Sequence, residues 1–273
     1  MTVGSLFAGI GGFDLGFQRA GYDIAWQVEI DAYATRVLHK HWPHVPRYGD
    51  IRAIDWSAVE PVDVVCGGFP CQPHSVAGRR QASADDRDLW PEVVRCLREV
   101  RPRWFVGENV PGLLSSESGR FFGTVLRDLA ACGFDVEWDC LPASAVGAPH
   151  RRDRVWIVAH AHGIGSDAGR QRAWLDSEWR GHHAEECRED VADTHSQRLE
   201  GRTRIVMREC ASERIIGARR ASELAGHQWE PEPNVGRVAD GVPNRVDRLR
   251  GLGNAIVPQI AEWIARRITE AEA

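Results

Sequence analysis

TVGSLFAGIGGFDLGFQRAGYDIAWQVE (Thr2–Glu29) is the stretch that decides the architecture. Thr2 to Phe7 is a short apolar run of strand length, cut off by glycines at 9, 11 and 12. Phe13 to Ala20 then spaces its apolar residues as a helix does, and Asp23 to Val28 reads as a second strand. A strand, a glycine turn, a helix and another strand within about 30 residues form the βαβ unit of a parallel sheet.

The alternation continues outward. Ala32 to His41 reads as a helix, and Val62 to Cys66 as a strand running into GGFPCQP. Leu89 to Val100 is helical by spacing, and Trp104 to Gly107 is a strand ending at Glu108. Phe121 to Ala131 is helical, with Val136 to Leu141 and Val155 to Ala159 as the last strands. The fold class is therefore α/β, with a mostly parallel sheet covered by helices on both faces. From about Gly163 to Val246 periodicity fades, and Arg, Glu, Gly and His dominate. In GNAIVPQIAEWIARRI an amphipathic helical pattern returns from Pro258 to Ile268. Three parts are expected: a large ligand-binding domain over 1–162, a small irregular domain over 163–246, and a segment over 247–273 that returns to the large domain.

Composition suits this reading. The chain has 273 residues, 43% hydrophobic and 27% charged, enough for an ordinary globular core. No apolar run approaches the ~20 residues of a membrane helix, and the N-terminus has no secretory pattern. A soluble, intracellular protein without membrane contact is expected. Seven cysteines without a CxxC pair argue for reduced thiols rather than a disulfide framework. A net charge of −5 excludes a protein that coats nucleic acid by bulk charge, but leaves room for a local basic cleft.

Four motifs carry chemistry. The glycines of FAGIGGFDLG (Phe7–Gly16) let the backbone approach a ligand at a helix N-terminus, although the spacing is not GxGxxG. Glu29, at a strand end about 20 residues on, is placed where an acid binds ribose hydroxyls, and Asp50 ends a further candidate strand. In GGFPCQPHSVAG (Gly67–Gly78), Pro70 restricts the backbone beside Cys71, just past a buried strand. A lone cysteine is usually an inert small hydrophobe, which suits Cys66 inside the strand better than Cys71 in the loop. GENVPGL sets Glu108 and Asn109 at another strand end, where a carboxylic acid can protonate a ring nitrogen. HRRDRVWIVA leads into a strand with Arg152 and Arg154 on one side by alternation, and guanidinium groups suit carbonyl or phosphate oxygens. Taken singly, such acids and arginines are more often solvated surface charge. His160, His162, His182, His183, Cys187 and His195 match no strong zinc spacing, so no metal is expected.

In order, FAGIGG, a strand-end Glu, GGFPCQP, ENV, RRDR and GNAIVPQ resemble the cytosine-5 DNA methyltransferase family over residues 3–160 and 248–268. That resemblance implies a Rossmann-like methyltransferase sheet with a small target-recognition domain. It implies S-adenosylmethionine as cofactor, in a pocket of Phe7, Gly9, Gly11 and Gly12. Glu29 would hold the ribose, Asp50 and Ile51 the adenine edge, with Leu89 nearby, and Asn254 and Ala255 would close the pocket. Pro70 and Cys71 would form the catalytic pair, with Glu108 on the base, Arg154 on its 2-carbonyl oxygen and Arg152 in support. The substrate would be a flipped-out cytosine of double-stranded DNA. The enzyme would be a cytoplasmic monomer of bacterial or phage-like type, with room for a restriction endonuclease partner.

Two departures stand out: His150 occupies the position of the usual Gln, and the family's Arg-, Thr- and Glu-rich motif is not recognisable between Arg204 and Asp247. Three rival readings differ in class. An RNA cytosine-5 methyltransferase of the same fold would carry a Cys-Phe-Thr signature, which is missing. An inactive nucleic-acid-binding homologue would have no need of Cys71, Glu108 and Arg154. A nicotinamide oxidoreductase would leave the PCQ and ENV motifs unexplained.

Overall fold

The structure, a computed structural model, describes residues 1–70, 89–161 and 245–273. Its centre is a seven-stranded sheet. The strands are β1 (Thr2–Leu6), β2 (Asp23–Val28), β3 (Arg47–Tyr48), β4 (Val64–Gly68), β5 (Trp104–Asn109), β6 (Phe134–Pro142) and β7 (Asp153–Ala161). They lie in the order β3-β2-β1-β4-β5-β7-β6. The described helices are α1 (Gly12–Arg19), α2 (Ala32–His41), α3 (Trp90–Val100), α4 (Arg120–Ala131), α5 (Arg245–Asn254) and α6 (Pro258–Ala271).

Strand alternation sorts the core into two layers. Val64, Cys66, Trp104, Val106, Trp156 and Val158 face one way, onto Phe13 and Phe17 of α1 and onto α6. Val65, Phe105, Val155 and Ile157 face the other way, onto α3 and α4. The sheet is thus covered on both faces, as the alternating sequence implies. On the first face α1 and α6 meet closely: a Cβ on Gly16 would lie 2.6 Å from that of Ala261. Ile260, Ile264 and Ile268 are buried there, each side chain contributing about 1.5–3 kcal/mol. The Tyr22 hydroxyl donates to the Ala265 carbonyl at 3.0 Å, fastening α6 to the turn after α1.

The expected, mostly parallel sheet is present, and three features go beyond the sequence reading. The sheet is mixed, because β7 runs antiparallel to both β5 and β6. Periodicity does not encode direction; the cue is that the ten residues between Pro142 and Asp153 hold only the short 3-10 turn Ala143–Val146, too little for a crossover helix. The two-residue β3 is too short to show a pattern. Finally, the approach to Asn254 is helix α5, although it contains Gly251 and Gly253. The expected small domain over 163–246 lies outside the described residues, apart from the start of α5.

The strand order reverses between β1 and β4, whose crossovers leave in opposite directions. The crevice outside the carboxyl ends of such strands is where open α/β sheets bind ligands.

Candidate active site

A cavity of about 440 Å³ occupies that crevice. One wall comes from the β1–α1 turn and the start of α2: Phe7, Gly9, Ile10, Glu29, Asp31 and Tyr33. The opposite wall comes from the ends of β4 and β5 and the start of β7: Gly68, Phe69, Pro70, Glu108, Arg152 and Arg154. Asp247, Arg250, Gly251, Gly253 and Asn254 of α5 complete it.

On the first wall the backbone turns sharply, with Phe7 at φ 51 and Gly9 at φ 57. Left-handed backbone is unusual for a phenylalanine and stores strain of order 1–3 kcal/mol. The turn aims the Gly9 N–H at Glu29 Oε2, 2.7 Å away. The Asp31 N–H donates to the other oxygen, Oε1, also at 2.7 Å. Each carboxylate oxygen of Glu29 thus holds one main-chain donor and keeps acceptor capacity beside the cavity.

On the second wall, Glu108 is 9% exposed, and Arg154 Nε lies 2.9 Å from its Oε1. Burial pushes the Glu108 carboxyl up from 4.5 to about 7, although Arg154 and Arg152 pull it down. Desolvation outweighs both guanidiniums. Gly68 sits opposite Glu108 in the β4–β5 register, and a Cβ there would come within 3.2 Å of Glu108 Oε2. Asn109, buried beside it, donates from Nδ2 to the Phe69 carbonyl at 2.9 Å. That bond holds the chain leading into Pro70. Cys71 lies outside the described residues.

Arg152 is directed differently from Arg154. At φ 37, it donates from Nη2 to the carbonyls of Gly253 and Ala255, both at 2.7 Å. It clasps the chain on either side of Asn254, joining the start of β7 to the end of α5.

Phe7, Gly9, Glu29, Pro70, Glu108, Arg152, Arg154 and Asn254 thus line one cavity. Gly11, Gly12, Asp50, Ile51, Leu89 and Ala255 do not line it. Gly11, at φ +89, leaves room for Trp42, whose ring a Cβ would meet at 2.4 Å, and Gly12 is pressed against Ile256. Asp50 caps the 3-10 turn Ile51–Ala53 and pairs with Arg52 at 2.7 Å. Ile51 is buried, Leu89 packs on the core, and Ala255 meets Arg152 through its carbonyl. Of the histidine and cysteine set, only His160 is described; it stacks on Trp104 at 4.2 Å. Cys66 is buried, and desolvation together with Asp14 pushes its thiol well above the usual range.

Sequence reading missed Asp31, Tyr33 and Arg250. Asp31 had a signal, being the acceptor residue before a helix, and it does cap α2 through Tyr33 and Ala34 N–H. Arg250 had none, because its partner is 219 positions away.

Comparison with known proteins gives the family. The profile of C-5 cytosine-specific DNA methylases matches residues 1–225. Type II methyltransferase M.BsuFI of Bacillus subtilis is 36% identical over 166 residues, 60% of this chain and 40% of that protein. Type II methyltransferase M.NgoBI of Neisseria gonorrhoeae is 37% identical over 160 residues, 58% of this chain and 50% of its own length. A crystal structure of a prophage-encoded protein from E. coli, assigned as a DNA modification methyltransferase, superposes with TM-score 0.51 at 27% identity. The superposition covers 59% of this chain and 47% of that one. The matches therefore span half, or less, of these relatives' lengths.

Fold and crevice together define a Rossmann-like fold of the α/β class, shared with the matched prophage structure. This chain belongs to the C-5 cytosine-specific DNA methylase family.

Proposed function

We propose that this chain is a DNA (cytosine-5-)-methyltransferase. The observation that carries the proposal is the pair of buried Glu108 with half-buried Arg154, lining the same cavity as the acceptor-rich Glu29.

The residues fit S-adenosylmethionine. Glu29 can accept both hydroxyls of a ribose, and Phe7, Ile10 and Tyr33 offer apolar surface to the nucleoside. Asn254 stands on the α5 side; Gly11, Gly12, Asp50, Ile51, Leu89 and Ala255 shape this half of the crevice from outside the lining. When bound, the cofactor supplies an electrophilic methyl group on a sulfonium.

The cytosine half follows from the other wall. Carbon 5 of cytosine is a weak nucleophile, so the Cys71 thiolate adds to carbon 6 and its electron pair passes through the ring. Protonated Glu108 stabilises that charge by donating to ring nitrogen 3, for which a carboxyl near neutrality suits. Arg154 donates to the 2-carbonyl oxygen while holding Glu108 in place. Pro70 restricts the backbone that leads into Cys71, and Arg152 supports the site through its clasp on residues 253 and 255. Carbon 5, made nucleophilic, takes the methyl group; loss of its proton then expels the thiolate. These atoms are buried in a duplex, so the cytosine must be flipped out. Target choice is assigned to residues 163–246. A cytoplasmic monomer acting on double-stranded DNA, alone or beside a restriction endonuclease, fits this reading, and no described helix is long and apolar enough to cross a membrane.

The test is methyl transfer from tritiated S-adenosylmethionine to unmethylated DNA, with hydrolysis to nucleosides. Label is expected in 5-methylcytosine. Label in N4-methylcytosine, or in tRNA with none in DNA, would overturn the proposal.

A further inference from the structure

Among the described residues, helix α5 meets the cofactor side of the crevice through a charged pair. Arg250 Nη2 lies 2.5 Å from Asp31 Oδ2, while Asp247 on the same helix is 3.7 Å from Arg250. Asp31 has three other roles there. Its Oδ1 accepts from the Tyr33 and Ala34 N–H groups at 2.9 Å each, and its own N–H donates to Glu29 Oε1 at 2.7 Å. The Ala34 N–H, and then Arg250, hold the Asp31 carboxyl below the usual range. The residue after Arg250 is glycine, and a Cβ there would come within 3.2 Å of Ile10. The helix therefore approaches the β1–α1 turn closely just where the ion pair forms.

We propose that Arg250 is a positioning residue for the cofactor site: by pairing with Asp31 it holds α5 against the crevice and fixes the main-chain N–H that orients Glu29. The proposal rests on the cofactor reading above and adds a residue to it. An ion pair this exposed stabilises a fold little. Its effect belongs to ligand affinity, because a wall that spends time open weakens apparent binding by the fraction of molecules that are closed. Arg250 thus acts on the ribose through Asp31 and Glu29, without touching it.

The test is a double-mutant cycle read by titration calorimetry of the full chain with S-adenosylhomocysteine, alongside thermal melting. Arg250→Ala should weaken binding roughly fivefold and shift the melting temperature little. Asp31→Asn keeps the helix cap, loses the charge, and should weaken binding by a similar factor. The double variant should be no weaker than the worse single one, and Arg250→Lys should recover part of the loss. Two results would overturn the proposal: Arg250→Ala binding like wild type, or the two losses multiplying in the double variant, which would mean that Arg250 acts independently of Asp31. Failure of the wild-type chain to bind S-adenosylhomocysteine would instead overturn the cofactor reading, and this inference with it.

Discussion

Arg154 and Glu108 meet at 2.9 Å across two strands that run in opposite directions. β5 delivers the carboxylate at its carboxyl end, and antiparallel β7 delivers the guanidinium at its amino end. A parallel β7 would put Arg154 at the far edge of the sheet. Strand direction therefore creates the pair. Burial then leaves Glu108 carrying a proton over much of the range below about pH 7, even beside a cation.

If Glu108 serves the base rather than the cofactor, Glu108→Gln should cut turnover roughly 10²-fold or more, the scale of a lost general acid. Affinity for S-adenosylhomocysteine should remain near wild type. Steady-state kinetics at saturating cofactor, with calorimetry, separates the two. Lost cofactor binding with retained turnover would reverse the assignment.

The raised carboxyls carry a stability consequence. Between 4.5 and about 7 folded Glu108 keeps a proton that the unfolded chain has released, so this group makes stability fall as pH rises. Asp14, raised by burial from 3.8 to about 6, has the same sign over a lower window. Glu108→Gln removes the first contribution only. Its melting temperature relative to wild type should therefore climb from about pH 5 to about pH 7.5. A constant difference would show that Glu108 titrates normally.

Gly68 tests the geometry from the neighbouring strand. A methyl group there would crowd Glu108 Oε2 at 3.2 Å while making an ordinary contact with Ile256 Cδ1 at 3.6 Å, so the carboxylate must move by a few tenths of an ångström. Gly68→Ala should lower turnover on the order of tenfold with only a small change in cofactor affinity. Unchanged turnover would mean that the position of Glu108 is not critical.

The last helix is structural. Ile264 is fully buried between α6 and the sheet, and Ile264→Ala should cost about 2–5 kcal/mol in urea unfolding. A loss below about 1 kcal/mol would show that α6 is loosely held.

Much of the fold was legible because the chain alternates apolar strands with glycine turns and periodic helices. β2 at Asp23–Val28 and α2 at Ala32–His41 fall on the expected residues. What escaped reading depends on tertiary contact. Nothing local in Asp153–Ala161 states that β7 runs backwards. Gly251 and Gly253 disfavour a helix by propensity, and α5 forms where Gly251 packs on Ile10 and Tyr33. Motif order led to Glu29, Glu108 and Arg154, which do line one cavity. The same order brought in Gly11 and Gly12, and a local physical reason accounts for those glycines: Trp42 and Ile256 leave no space for a side chain.

The central claim is a covalent link from Cys71 to carbon 6 of a DNA cytosine, and trapping tests it most directly. The full chain is incubated with S-adenosylmethionine and duplex DNA carrying 5-fluorocytosine, from which fluorine cannot leave as the proton does. The expected result is a protein–DNA adduct that survives denaturing electrophoresis, requires the cofactor for its methylated form, and is abolished by Cys71→Ala. An adduct formed equally well by Cys71→Ala, or turnover by that variant on ordinary DNA, would contradict the mechanism.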